Sequence, residues 1–400
     1  MRLVLYTGKG GVGKTTTAAA TAVCAAARGR RTLVVSADAA HSLGDVLGRR
    51  LGPRPAPVAP SLDALEADAR CEMERHWGRV RDYLVALFRH QGIDDVVAEE
   101  LALLPGAEEL TTLLAVEEHG RAGGYELVVV DCAPTDAALR LLTLPDVARS
   151  ALRLALKLQQ AVASVAGPLV RAFVDAPLPD AAVFGDVERL LYEKLRRLRA
   201  RIASAKTSVR LVVTPERMVI DEARRAFTDL ALFDIACDAV VMNRLLPDAA
   251  REEAFFRDWA RVEGERRREV ESAFAPLPVL AAPLRDDEVI GVAALQAHGD
   301  ALFERCEPDA ILGVRARVRF APEAGGWRIA LPLPHAGRGE LEVAKIGGEL
   351  VVRAGSRRRS LSLPRRLAPL SLASARVEDE SLVIRLGPAP SDAQESLPCA

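Results

Sequence analysis

A glycine-rich turn wedged between an apolar run and an alanine-rich run constrains this chain more than anything else in it. Residues 2–7 read RLVLYT, a short stretch of apolar, β-branched and aromatic side chains with the character of a strand. Residues 15–28 read TTTAAATAVCAAAR, rich in the best helix former and closed by Gly29. Between them lies GKGGVGKTT. Gly8, Gly13, Lys14 and Thr15 satisfy G-x-x-x-x-G-K-[ST] in the strand–turn–helix context that makes the pattern a phosphate-binding loop. Gly8, Lys9, Gly10, Gly11, Val12, Gly13, Lys14, Thr15 and Thr16 supply the nucleotide cradle. The glycines let backbone N–H groups face a phosphate, and the helix N-terminus adds its dipole. Lys14 supplies a point charge for the β- and γ-phosphates of ATP, and the Thr15 hydroxyl a ligand for Mg2+. Lys9 is a second lysine that a single loop does not need.

A strand that feeds such a loop belongs to a parallel sheet, and the rest of the chain agrees. Runs at 31–36, 126–130, 209–213, 239–242 and 278–281 are short, nearly all apolar and bounded by breakers, with helical patterns between them. The expected fold class is α/β: a P-loop NTPase doubly wound, mostly parallel sheet over residues 1–305, with a helical insertion at about 146–206. After a linker at 306–313 the period changes to alternating segments with turn signals. Gly347-Gly348 between LEVAKI and ELVVRA is one of them. Residues 314–387 read as a small all-β sandwich and 388–400 as a disordered tail.

Composition narrows the partners. Lys plus Arg number 54 and Asp plus Glu 55, for a net charge of -1, so nucleic acid is not an expected partner. The six cysteines are scattered singly, which excludes a structural zinc and points to a reducing, cytoplasmic setting. No charge-free apolar stretch reaches the roughly 20 residues of a membrane span, so the chain is not expected to be an integral membrane protein. The first strand begins at residue 2, leaving no room for a signal peptide.

Four further segments carry a resemblance. SADAAHSLGDVLG follows the second run, VVVDCAPTDAALRLLTLP the third, and VVMNRLLP and APLRDDEVIGVAALQ come later. Together with GKGGVGKTT they resemble the ArsA family of ATPases, which includes the arsenite-pump ATPase and the guided-entry ATPase for tail-anchored membrane proteins. The resemblance implies an Mg2+-dependent ATPase. It implies that Asp38 orients or activates the attacking water, with His41 and Asp45 in the same first switch. Asp131 would be the aspartate that holds Mg2+ directly or through water, with Pro134 and Thr135 in the second switch. Asn243 would read adenine and Pro283 pack on the base. It also implies that Lys9 reaches across a subunit interface to the partner's nucleotide. With one such loop in the chain, a symmetric homodimer is expected.

The sequence departs from the family at Ala39, where a proline is usual, and at Asp136, Ala137 and Ala138, which replace G-H-T. The C-x-x-C of many guided-entry members is absent. The C-terminal segment resembles the α-crystallin, or small heat-shock protein, sandwich, and ArsA-like ATPases with such a domain and no C-x-x-C form a recognisable subgroup. Apolar residues of the insertion fit either a groove for a hydrophobic client helix or membrane-protein partner, or an ordinary packed core; none of the four methionines falls there. Three readings stand: an ATPase whose cycle opens and closes a client site, the motor of an arsenite or anion extrusion pump, and a partition-type ATPase on DNA. The second needs a thiolate cluster or a membrane partner that the sequence does not display, and the near-neutral charge counts against the third.

Overall fold

The computed structural model describes residues 1–37, 42–68, 107–132, 193–313, 318–323, 325–335, 341–355, 357–388 and 396–398, with scattered residues between 74 and 99. The chain forms two compact units, one of residues 1–207 with 285–310 and the other of residues 208–284 with 311–400.

In the first unit, β1 (Arg2–Thr7), β2 (Thr32–Ser36) and β5 (Leu127–Asp131) are buried at every position. Both β1 and β2 pair with β5 in parallel. A strand covered on both faces has no solvent side, which is why these segments are apolar at odd and even positions alike. Beyond β2 come β4 (Leu62–Glu66), parallel, and β3 (Ala56–Ala59), antiparallel, giving the order β3-β4-β2-β5-β1. The last two strands were not read from the sequence. LDALE has no β-branched or aromatic residue and favours helix at Leu, Ala and Glu, and prolines stand at 55, 57 and 60 around and within β3. An edge position tolerates Pro57, because one side of an edge strand needs no ladder donor.

Helix α1 (Lys14–Ala27) packs between this sheet and α8 (Val292–Leu302). From Thr17 to Ala26 it is buried without a break. Its alanines follow from that crowding, since larger side chains on every face would hold the neighbours apart. The approach of α8 is close enough that a Cβ at Gly299 would strike Cys24 Sγ and lie 3.0 Å from the Ala20 carbonyl oxygen. The short α2 (Leu43–Leu47) follows β2; α3 (Ala107–Ala122) and α4 (Leu195–Ile202) are tied by Arg201 Nε on Glu117 Oε2 at 3.0 Å.

The second unit carries β6 (Thr207–Val213), β7 (Cys237–Leu245) and β8 (Val279–Pro283) in parallel and in that order, with α5 (Arg217–Leu232), α6 (Asp248–Glu252) and α7 (Arg257–Ala273). Its two remaining sheets form the sandwich. One has β14 (Ser371–Glu378), β15 (Ser381–Gly387), β10 (Gly326–Pro332) and β9 (Arg319–Glu323) in that order. The other has β13 (Arg357–Ser362), β12 (Glu349–Ala354), β11 (Leu341–Ile346) and β16 (Ser396–Pro398). The hairpin at Gly347-Gly348 joins β11 to β12 with Ile346 opposite Glu349. Inward positions alternate, as in Ile329 and Leu331, Leu341 and Val343, and Leu382, Ile384 and Leu386. β16 differs from the disordered tail expected there: it pairs Leu397 opposite Val343 on β11, whose outer edge offers an open row of backbone groups.

The sandwich core is not self-contained. Leu232, the last residue of α5, belongs to it, with Phe233 packed alongside. Thr228 donates to the Pro334 carbonyl, Arg357 Nε to Asp229 Oδ2 at 3.3 Å, and Arg359 to the Leu232 carbonyl. The His335 ring stands 6.3 Å from Phe227 and 6.1 Å from Phe274, centroid to centroid. These contacts place β6 to β8 and the sandwich in one unit.

A buried ion pair sits in the same unit. Arg210 Nε lies 3.3 Å from Asp238 Oδ1, with the side chains 0% and 1% exposed, and Asp238 Oδ2 accepts the Leu312 N–H at 3.3 Å. Removing one member of such a pair strands the other charge. Asp238→Ala is therefore expected to cost about 3–5 kcal/mol in urea unfolding, whereas Arg210→Met with Asp238→Leu recovers most of it. A loss under about 1 kcal/mol in the single variant would show that the pair is not a structural tie.

Candidate functional site

The carboxyl ends of β1, β2 and β5 meet in register: Tyr6 and Ser36 both stand opposite Asp131. This is the edge of a parallel sheet where ligands bind. The turn that leaves β1 reaches α1 through Gly11 at φ 80 and Gly13 at φ 90, values in the left-handed region that an L side chain rarely adopts. Gly13 takes the N-cap position without a side-chain cap, and no acidic residue occupies the first turn of α1. Its N-terminal amides and dipole are thus left for an anion. Tyr6 and Thr21 hydroxyls, 2.6 Å apart, lock β1 to α1 behind the turn.

Within this frame Lys14 is buried, and its Nζ donates to the Lys9 carbonyl at 3.3 Å. Lys9 itself is half-buried. Thr15 Oγ1 donates to Asp131 Oδ2 at 2.7 Å, and the Ser42 hydroxyl lies 3.1 Å from the same Thr15 oxygen. Asp131 is fully buried at the end of β5, and its backbone carbonyl accepts the Ala37 N–H at 2.8 Å. Among the described residues no three His, Cys, Asp or Glu side chains gather. A cation here would rest on Thr15 and Asp131, hard oxygens of the kind Mg2+ takes when phosphates complete its shell.

Asp45 is exposed in the first turn of α2. Asp38, Ala39, His41, Pro134 and Thr135 lie outside the described residues, as do residues 133–192, which include most of the helical insertion. In the second unit, Asn243 is buried on β7 where the register with β8 shifts between Met242 and Leu245. Arg244 takes φ 59 at that shift, and Leu245 stands opposite Pro283. The structure thus sets Asn243 and Pro283 at the ends of neighbouring strands. Glu263 of α7, buried, holds the loop that follows: it accepts the Leu246 N–H at 2.8 Å and binds Arg251.

Three residues here were not singled out from sequence. Ser42 lay inside a quoted motif, between His41 and Asp45. Glu66, at the end of β4, accepts the Gly44 N–H of α2 at 2.8 Å. Its only signal was a carboxylate closing an apolar run. Glu263 sits in a stretch dense in charge, where nothing marks one glutamate as buried.

The segment before α8 also reaches α2, since Gly291 N–H donates to the Val46 carbonyl at 2.8 Å. On α8, His298 is 3% exposed, and neither ring nitrogen has a hydrogen-bond partner among the described residues. Burial, and then the Arg285 charge, push its pKa down to about 4. On α1, burial first and Asp300 next push the Cys24 thiol up to about 12; burial likewise raises Cys237.

The family model described as an anion-transporting ATPase matches residues 1–304, and one described as an HSP20-like domain found in ArsA matches residues 324–386. The chain is 33% identical over 394 residues to a candidate arsenical pump-driving ATPase 1 of Aquifex aeolicus, covering 96% of this chain and 99% of that one. It is 28% identical over 327 residues to the ATPase get3 of Neurospora crassa, covering 77% and 92%. It is equally 28% identical, over 341 residues, to an ATPase ASNA1 homolog of Trypanosoma cruzi, covering 77% and 93%.

His298 makes a pH test. A histidine held neutral in the fold and free to protonate when unfolded makes the unfolded chain bind more protons between the two pKa values. Stability is full above the unfolded pKa of about 6.5 and falls as pH drops toward 4. From about pH 7.5 to about pH 5 the loss assignable to His298 is roughly 2 kcal/mol. His298→Leu should flatten the urea-unfolding profile by that amount; an unchanged slope would mean the ring titrates normally.

Proposed function

This chain belongs to the ArsA family of ATPases, and we propose that it hydrolyses ATP with Mg2+ as a symmetric homodimer whose nucleotide cycle opens and closes a surface for a hydrophobic client or partner. The observation that carries the nucleotide half of this reading is the 2.7 Å bond from Thr15 to Asp131 beneath the glycine turn. In the division we propose, residues 1–305 do the nucleotide chemistry and 314–387 carry the sandwich.

The turn amides and the N-terminus of α1 hold the phosphates, and Lys14 exchanges its bond to the Lys9 carbonyl for one to a phosphate oxygen. Thr15 and Asp131 hold Mg2+, which when bound neutralises phosphate charge. Asp38 orients or activates the attacking water. Lys9 crosses to the partner's nucleotide and stabilises charge there, as an arginine finger does. Asn243 reads the adenine edge and Pro283 packs on its face. A groove for the client would draw on the apolar residues of the insertion at 146–206, which fit an ordinary packed core equally well.

The pump reading draws on the printed name of the Aquifex relative, and it needs thiolates that converge. Cys24 and Cys237 are buried and held protonated. A soft metalloid has little to bind in such thiols. Arsenite and antimonite are accordingly expected to leave hydrolysis unstimulated; saturable stimulation lost on cysteine substitution would favour the pump.

Asp38→Asn should keep ATP binding and slow turnover by roughly 10²–10⁴-fold, so that a closed dimer accumulates with ATP and Mg2+ on size-exclusion chromatography. A helix cap would work equally well as asparagine, and turnover at the wild-type rate would reduce Asp38 to that role. Lys9→Ala should bind ATP but hydrolyse it slowly. In mixed dimers with intact subunits, full activity at both sites would remove the cross-interface role.

A further inference from the structure

We propose that Glu66 is a positioning residue for ATP hydrolysis: it fixes helix α2 so that the Ser42 hydroxyl orients Thr15. The inference rests on the reading that Thr15 and Asp131 form the Mg2+ end of the nucleotide site, and it names what sets that end.

The Thr15 hydroxyl gives its hydrogen to Asp131 Oδ2. Its oxygen, 3.1 Å from Ser42 Oγ, is then the acceptor of the Ser42 O–H. Three groups thus form a directed chain, Ser42 to Thr15 to Asp131. With one lone pair of Thr15 occupied by Ser42, the other has a fixed direction, and a cation is met by an oriented ligand rather than a rotor. Ser42 precedes α2 and makes no side-chain cap on it. Its place therefore depends on what holds α2.

That hold is specific. Glu66 Oε1 accepts the Gly44 N–H at 2.8 Å. Gly44 is buried so tightly that a Cβ there would lie 2.8 Å from the Arg49 carbonyl oxygen and 3.4 Å from Glu66 Oε1. Two residues on, the Val46 carbonyl takes the Gly291 N–H at 2.8 Å. The helix is also packed through the buried Leu43 and Leu47, but apolar contact is non-directional, whereas these two hydrogen bonds fix direction. Glu66 also ends β4, the strand that pairs with β2, so the sheet itself sets the carboxylate's height beside Ser36.

The test uses the full-length chain with Glu66→Ala, Glu66→Gln, Ser42→Ala and the Glu66→Ala/Ser42→Ala double variant. Glu66→Ala should lower kcat by about 10–100-fold, the worth of an outer partner at a metal site, with KM for ATP changed less than about 3-fold. Glu66→Gln retains an oxygen for the Gly44 N–H and should recover most of the loss. The double variant should be no worse than the poorer single one, because both act at Thr15. Independently of turnover, Mn2+ affinity in the presence of ADP, read by electron paramagnetic resonance, should fall about tenfold in Glu66→Ala and Ser42→Ala and return in Glu66→Gln. Wild-type kcat and Mn2+ affinity in Glu66→Ala, a glutamine no better than alanine, or multiplying losses in the double variant would overturn the inference. If Glu66→Ala does not fold, Ser42→Ala decides, since its hydroxyl supports no cap: unchanged Mn2+ affinity there ends the proposal. Thr15→Ala separates the two levels. If it hydrolyses ATP normally, the site reading fails; if it is inactive while Glu66→Ala is not, only the positioning role does.

Discussion

How closely α1 lies against its neighbours governs the rest of the first unit. The helix is covered by the sheet on one side and by α8 on the other, and the small side chains of its buried stretch, mostly alanine with two threonines, one valine and one cysteine, make that spacing possible together with the missing side chain of Gly299. A helix held this firmly brings its N-terminus to one fixed point at the end of β1. Lys14 and Thr15 then stand at the carboxyl edge of the sheet, and Asp131 arrives from β5 because Tyr6 and Ser36 bracket it in register. The site's precision comes from apolar packing two or three turns away from any phosphate.

The parts that sequence made legible are those in which local pattern and tertiary environment agree. Buried parallel strands must be apolar throughout, so RLVLYT and LVVVD announce themselves; the glycines of the turn need backbone angles open to few other residues. The sandwich was legible for the complementary reason, since its strands have an inside and an outside and alternate accordingly. What escaped notice lies where a residue's role is set by a distant partner. LDALE becomes β4 only because β2 offers it an open edge. Glu66, Glu263 and His298 look like any surface residues in the sequence, yet each is placed by contacts from another element. The roles expected of Asp38, His41, Pro134 and Thr135 rest on resemblance alone.

Two kinds of polar burial divide the labour in this chain. Arg210 and Asp238 are charged, paired and deep, and with the Leu312 N–H they fasten the start of the C-terminal segment to β7. His298 is buried by the opposite strategy, giving up its charge. The first confers a defined arrangement at the cost of desolvation; the second ties part of the fold's stability to the neutrality of its surroundings.

The presence of Leu232 in the sandwich core bears on the ancestry of the chain as much as on its stability. A module that closes its own core can be shuffled between genes, because any linker will serve. This one leaves a gap that a neighbouring helix fills, and Arg357 and Arg359 reach back to the end of that helix. Transplanting the sandwich onto another ATPase would require a host helix that ends in a comparable apolar residue with an accessible carbonyl. A substitution on either side of this junction therefore alters the shape that the other side has to meet.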